Sequence, residues 1–150
     1  MEVRPYSEGD LAACLALFDS NVPDFFHASE RAGFAAFLAG NGWPYVVMEH
    51  EGGIVGCGGW APEEGDALVS LTWGMVRRDL HGSGLGRFLL LYRLREAAKV
   101  PGVERARLST SQHTAPFFQK QGFRLTETVK DGYATGLDRV EMVMKLKVCP

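Results

Sequence analysis

The sequence predicts a single α/β domain over residues 1–150, with elements in the order β-α-α-β-β-β-α-β-α-β-β. Three observations carry that prediction. Short strand-like apolar runs are interspersed with longer runs whose apolar residues recur at helical spacing. Turn-forming glycines, Gly52-Gly53 above all, punctuate the runs. The segment His81-Gly82-Ser83-Gly84-Leu85-Gly86-Arg87 stands where a strand-like run ending at Val76 passes into a helical one. Backbone amides and a helix N-terminus can together hold a phosphate at such a place.

Glu2 to Pro5 form a short first strand, and Ser7 with Asp10 three residues later opens a helix carrying Leu11, Cys14, Leu15 and Phe18 to about Asp19. Asn21-Val22-Pro23-Asp24 breaks it. Ser29-Glu30 opens a second helix with Phe34, Phe37 and Leu38 on one side, closed by Asn41-Gly42. Tyr45–Glu49 and Ile54–Trp60 form a hairpin around His50-Glu51-Gly52-Gly53. Asp66–Val76 is a longer strand in which Gly74 suits a bulge or a close backbone approach. The third helix starts near Leu85, turns Leu85, Phe88, Leu89 and Tyr92 to one face with Leu90, Leu91 and Leu94 widening it, and ends before Pro101-Gly102. Val103–Thr110 is a fifth strand. Thr114 caps a short helix that runs through Gln121 and stops at Gly122, and Phe123–Val129 and Val140–Leu146 are the last strands.

Composition narrows the function. Apolar residues make up 46%, charged residues 23%, and the net charge is −2 with both signs interspersed, so neither disorder nor a nucleic-acid surface is indicated. No basic-then-apolar leader and no membrane-length apolar run is present, which places the expectation in the cytoplasm and away from membranes. Cys14, Cys57 and Cys149 are far apart, and His27, His50, His81 and His113 are scattered, so buried free thiols are expected and no metal site.

The glycine segment separates three phosphate loops. A nucleoside-triphosphatase loop needs Lys-Ser/Thr after its last glycine, where Arg87-Phe88 stands; the dinucleotide fingerprint needs glycine at Arg87 and an acidic residue where Ser109-Thr110-Ser111 stands. The remaining pattern resembles the coenzyme A pyrophosphate loop of the GNAT superfamily of N-acetyltransferases, Gln/Arg-x-x-Gly-x-Gly/Ala, with His81 in the first place, Gly84 and Gly86 as the small residues, and Leu89-Leu90 continuing the helix. Thr114 to Phe123 is similar to a second family signature, an aromatic pair, three residues, then Gly-Phe. The resemblance implies the GNAT acyl-CoA N-acyltransferase fold, a mixed central sheet of about seven strands flanked by about four helices, order βααβββαβαββ.

What the resemblance implies for chemistry is acetyl transfer from acetyl-CoA to a primary amine of a small molecule or peptide, by direct attack in a ternary complex. The cofactor enters a gap between the fourth and fifth strands. There the backbone of Gly74, Met75 and Val76 would meet the pantetheine arm and polarise the thioester oxygen. Amides of Gly82, Ser83, Gly84, Leu85, Gly86 and Arg87 would hold the phosphates, with His81 and Arg87 side chains as supplements; Phe117 and Phe118 flank the cofactor. The family's tyrosine acid aligns with Phe118, which has no proton to give. His113 is the nearest titratable substitute, Ser111 stands where asparagine is common, and Tyr133 is a second candidate. No carboxylate occupies the fourth strand from Ala67, where many relatives carry a glutamate; Ser70 and Thr72 could only position a water. Asp24, Phe25, Phe26 and His27, with the loop from Lys130 to Arg139, would form the acceptor side. Two other readings stay open: a non-catalytic acyl-CoA-binding sensor or interaction domain, and an enzyme with another acyl group or acceptor. The last strand and the Val148-Cys149-Pro150 tail are the expected contact of a homodimer.

Overall fold

In the computed structural model, which describes residues 1–65 and 67–146, seven strands form one sheet: β1 (Glu2–Pro5), β2 (Tyr45–His50), β3 (Gly53–Glu63), β4 (Leu68–Val76), β5 (Arg105–Thr110), β6 (Arg124–Ala134) and β7 (Leu137–Lys145). Their spatial order is β1-β2-β3-β4-β5-β7-β6, with β4 and β5 parallel and the other neighbours antiparallel. Four helices, α1 (Leu11–Ser20), α2 (Arg31–Gly40), α3 (Leu85–Ala97) and α4 (Ala115–Lys120), complete the expected order. The sheet has a core on each face. Cys14, Phe18, Phe34 and Leu38 of α1 and α2 bury against Tyr45, Val47 and Cys57, while Leu89, Leu90 and Leu94 of α3 bury on the other side against Val46, Val69, Leu71 and Ala106. Among the described residues no helix is long and apolar enough to cross a membrane.

Local chemistry explains most boundaries. The β2–β3 turn has positive φ at Glu51 (51°) and Gly52 (81°), so of the expected glycine pair only Gly52 supplies one of the two angles, and Glu51 takes the other. The amide of Ser7 donates to Asp10 Oδ2 at 2.9 Å, so the expected helix start is present, with a 3-10 turn at Glu8–Asp10 leading into α1.

Arg4 Nη1 and Nη2 also donate to Asp10 at 2.8 and 2.9 Å, and this guanidinium lowers the carboxyl from 3.8 to about 2. Because the folded chain holds this proton off longer than the unfolded one, the stabilisation is complete above about pH 4 and is lost as pH falls towards 2. Asp10→Asn is therefore expected to flatten the acid limb of stability against pH, measured by urea unfolding at a series of pH values.

Several expectations are corrected. The α2 start is capped by His27, whose Nδ1 accepts from the Ser29 amide at 3.1 Å, while Glu30 Oε2 accepts from the His27 amide at 2.9 Å. Thr114 makes no side-chain cap; Ser111 holds the entry to α4, its carbonyl accepting the amides of Thr114 and Ala115. The expected 130–139 loop is mostly hairpin: β6 runs on to Ala134 through a wide register shift, with Asp131 at φ 55°, so Tyr133 lies on a strand. On α3, Phe88 and Leu91 are exposed, and the buried face is Leu89, Leu90, Arg93, Leu94 and Ala97. β7 has β5 on one side and β6 on the other, so the last strand is not a free edge for a second copy. Asp66, expected to begin the fourth strand, and the 148–150 tail with Cys149 lie outside the described residues.

Candidate active site

The parallel pair β4–β5 is joined only at its start, through Leu68↔Arg105, Val69↔Ala106 and Ser70↔Arg107. Beyond that point the register ends, although β4 continues to Val76 and β5 to Thr110, so the sheet opens between them. On β4 the register with β3 also shifts: Gly59 faces Thr72 and Cys57 faces Met75, leaving Trp73 and Gly74 opposite Gly58 alone. This is a bulge, with Trp73 at φ 38°, at the position that Gly74 suggests in the sequence.

The bulge redistributes backbone groups. Arg77 N donates to Val55 O at 2.8 Å, which makes Met75↔Cys57 the next hydrogen-bonded pair and turns the backbone of Val76 to the β5 side. Of the three residues expected at this edge, Met75 therefore spends its polar backbone on β3. Gly74 is exposed. The Val76 carbonyl accepts from Asn21 Nδ2 at 3.0 Å and from His81 Nε2 at 2.9 Å, so α1, β4 and the glycine loop meet at one oxygen.

Gly82 and Gly84 adopt φ 81° and 92°, angles that L side chains rarely take, and Gly84 is the residue before α3. The amides of Leu85, Gly86 and Arg87 have no intrachain backbone acceptor among the described hydrogen bonds; the first bond of the helix runs from Phe88 N to Gly84 O. Three donors and the positive end of the helix dipole are thus grouped beside the opening between β4 and β5. The Phe117 ring comes from α4 to within 3.6 Å of where a Cβ on Gly86 would stand, and Phe118 packs edge-on against Phe117 and Phe123.

The residues expected on the acceptor side each have a contact within the chain. Asp24 Oδ2 accepts from Arg78 Nη1 at 2.9 Å; Phe25 lies under the Arg78 guanidinium and edge-on to His81; Phe26 stacks on Phe18 in the α1–α2 core; His27 caps the turn before α2. Thr72 Oγ1 is buried without a hydrogen-bond partner against Gly59, not turned to open space. His113 is exposed, and its amide donates to Ser111 Oγ at 3.3 Å, leaving Ser111 as a buried brace.

Sequence reasoning missed the polar face opposite α3. Ser70 Oγ donates to Glu63 Oε1 at 2.5 Å, Arg107 bridges Glu63 and Glu141 at 2.6 and 3.3 Å, and Ser109 Oγ meets the Glu141 oxygens at 2.8 and 2.7 Å. Tyr133 joins this string beside Ser109. Burial first, and then the nearby Glu30 and Glu141 charges, push its hydroxyl up to about 12. The signal was present as period-two alternation: Arg107, Ser109 and Glu141 alternate with the buried Ala106, Leu108, Val140 and Met142. Arg93 was missed as well, since one arginine among leucines reads as a solvated position.

A sequence profile of the acetyltransferase (GNAT) domain matches residues 41–125, a span that holds the bulge, the opening of the sheet and the glycine loop. The chain belongs to the GNAT family of acetyltransferases, and is an acyltransferase by that membership. A Desulfovibrio desulfuricans protein assigned to the GNAT family is 20% identical, with 97% of this chain and 99% of that one covered at TM-score 0.81. The ribosomal-protein-alanine N-acetyltransferase of Brucella melitensis is 25% identical over 97% of this chain and 100% of its own, at TM-score 0.73. A Salmonella typhimurium protein assigned as an acetyltransferase, solved with its cofactor acetyl-CoA, is 19% identical over 100% and 96% of the two chains, at TM-score 0.75. No curated protein matches the sequence.

Proposed function

We propose that the protein transfers an acetyl group from acetyl-CoA to a primary amine of a small molecule or peptide, by direct attack in a ternary complex. The observation that carries this reading is the coincidence of free amides at Leu85, Gly86 and Arg87 with an open β4–β5 edge. Together they fit a ligand with phosphates at one end and an amide-bearing arm behind them. When bound, acetyl-CoA supplies the activated thioester; the new N–C bond forms as the C–S bond breaks, the amine loses a proton and the departing sulfur gains one. The chain's own contribution is to hold the phosphates with the amides of Leu85, Gly86 and Arg87, to pair the arm with the Val76 edge, and to present the amide of the exposed Gly74 to the thioester oxygen.

Proton donation has two candidates in place of the tyrosine that Phe118 replaces. The Tyr133 hydroxyl, pushed up to about 12, stays protonated across physiological pH and so can donate but not act as a base. His113 is exposed in the turn before α4. His113→Ala is expected to lower kcat about 100-fold, the lower end of general acid–base effects, with CoA affinity unchanged. An unchanged kcat removes His113 and leaves Tyr133, for which Tyr133→Phe is the matching test.

The overall reading is tested by the thermal midpoint with acetyl-CoA, CoA and ATP. A ligand at about 100 times its dissociation constant stabilises by roughly 2.7 kcal/mol, so both CoA forms should raise the midpoint and ATP should not. No shift with either CoA form overturns the reading. Thiol release from acetyl-CoA with a panel of polyamines, aminoglycosides, amino acids and peptide N-termini then identifies the acceptor, and a longer acyl chain in place of acetyl tests the alternative donor.

A further inference from the structure

Arg93 is the most unusual side chain in the described structure. It projects from the buried face of α3, is 4% exposed, and none of its described hydrogen bonds or ion pairs involves a carboxylate. Nε and Nη2 donate to the Gly59 carbonyl at 3.2 and 3.1 Å, and Nη2 donates to the Thr72 carbonyl at 3.0 Å. The chain makes room for it with glycine. A Cβ on Gly74 would stand 2.2 Å from Nη1, and one on Gly58 would stand 2.8 Å from Nε. Burial brings the guanidinium down to about 10, still charged at neutral pH. Burying a cation is costly even where carbonyls partner it, so a purely structural site would be better served by leucine, the residue type around it.

The next carbonyl along the strand is held from the other side of the sheet. Tyr45 Oη donates to Trp73 O at 2.7 Å. The two peptide groups of the β4 bulge are therefore each fixed at the oxygen, Thr72 C=O by Arg93 and Trp73 C=O by Tyr45. Both peptides are trans, since Val22-Pro23 is the cis bond of the described backbone. In a trans peptide the N–H points opposite to the C=O, so fixing Thr72 O aims the Trp73 amide and fixing Trp73 O aims the Gly74 amide away from Tyr45.

We propose that Arg93 and Tyr45 are positioning residues that clamp the two bulge peptides of β4, so that the Gly74 amide is held ready for the negative charge that develops on the thioester oxygen. This rests on the acetyl-transfer reading above. The clamp acts through the backbone, and the buried Arg93 guanidinium adds a fixed positive charge beside Gly74 that needs no reorganisation during the reaction. Trp73, stacked on Phe34 at 5.0 Å, keeps the third side of the bulge from relaxing.

The test uses the full chain with acetyl-CoA and the amine that gives the fastest thiol release. Tyr45→Phe removes one hydroxyl and keeps the ring in place. Arg93→Met removes the guanidinium, and Arg93→Lys keeps the charge. Tyr45→Phe and Arg93→Met are expected to lower kcat about 100-fold, the scale for a lost oxyanion donor, while KM for acetyl-CoA and the CoA-induced thermal shift stay within about threefold of wild type. Arg93→Lys should recover at least tenfold of the Arg93→Met loss. If Arg93→Met does not fold, Tyr45→Phe decides alone. A folded Tyr45→Phe with wild-type kcat overturns the clamp, as does a variant that loses CoA binding and kcat in parallel. Wild-type protein that binds no CoA overturns the acetyl-transfer reading itself, and the clamp with it; wild type that binds and turns over while Tyr45→Phe is unaffected overturns the clamp alone.

Discussion

Gly86→Glu is expected to abolish CoA binding while leaving the protein folded. The substituted Cβ would meet only the Phe117 ring, at 3.6 Å, an ordinary contact, and Gly86 does not hold a positive φ. The backbone therefore accepts a side chain. What it does not accept is a carboxylate among the amides of Leu85, Gly86 and Arg87, where it would satisfy those donors itself and repel a phosphate. Titration calorimetry should show affinity reduced by more than about 100-fold, since several charge-assisted hydrogen bonds are lost together. Gly86→Ala is the control, with binding close to wild type, because a methyl fits the space and adds no charge. Gly84→Glu should also abolish binding, but it confounds charge with strain at φ 92°, so Gly86 is the cleaner position. Binding that survives Gly86→Glu moves the phosphate site elsewhere.

Phe34→Ala is expected to cost about 3–5 kcal/mol of stability, the range for truncating a buried phenylalanine. Phe34 is fully buried in α2, stacked on Phe18 at 5.9 Å and on Trp73 at 5.0 Å, with Tyr45 at 6.4 Å. The cavity it leaves is walled by a helix and a sheet that cannot close on it without moving the Trp73 bulge. A loss of that size is a large share of the 5–15 kcal/mol that holds a typical domain together. Equilibrium urea unfolding measures it directly, and a loss below about 1 kcal/mol would show that α2 repacks freely over the sheet.

The positions where sequence and structure part company share a cause. The strands, the four helices and the glycine loop are written in local signals: the Gly52-Gly53 turn, the Ser7/Asp10 helix start, and glycines at 82, 84 and 122 with positive φ. Even the β4 bulge was legible, because a glycine inside a strand has few other uses. What was not legible is how the linker after α1 is held. The partners of Asp24, Phe25, Phe26 and His27, which are Arg78, His81, Phe18 and Ser29, come largely from segments that only folding brings close. Likewise Glu141 and Arg107 are 34 positions apart, and nothing local marks them as neighbours.

The sequence alone determined an α/β domain with a glycine loop before its third helix, because turn geometry, helix starts and glycine conformations depend on residues within a few positions of one another; the resemblance of that loop to the GNAT pattern is what pointed to coenzyme A. Tertiary structure alone decided how the β4 bulge is held: which carbonyls Arg93 and Tyr45 take, and which partners the linker after α1 finds. Those depend on distances between β2, β3, β4 and α3, and a buried arginine is distinguished from a solvated one only by what packs around it.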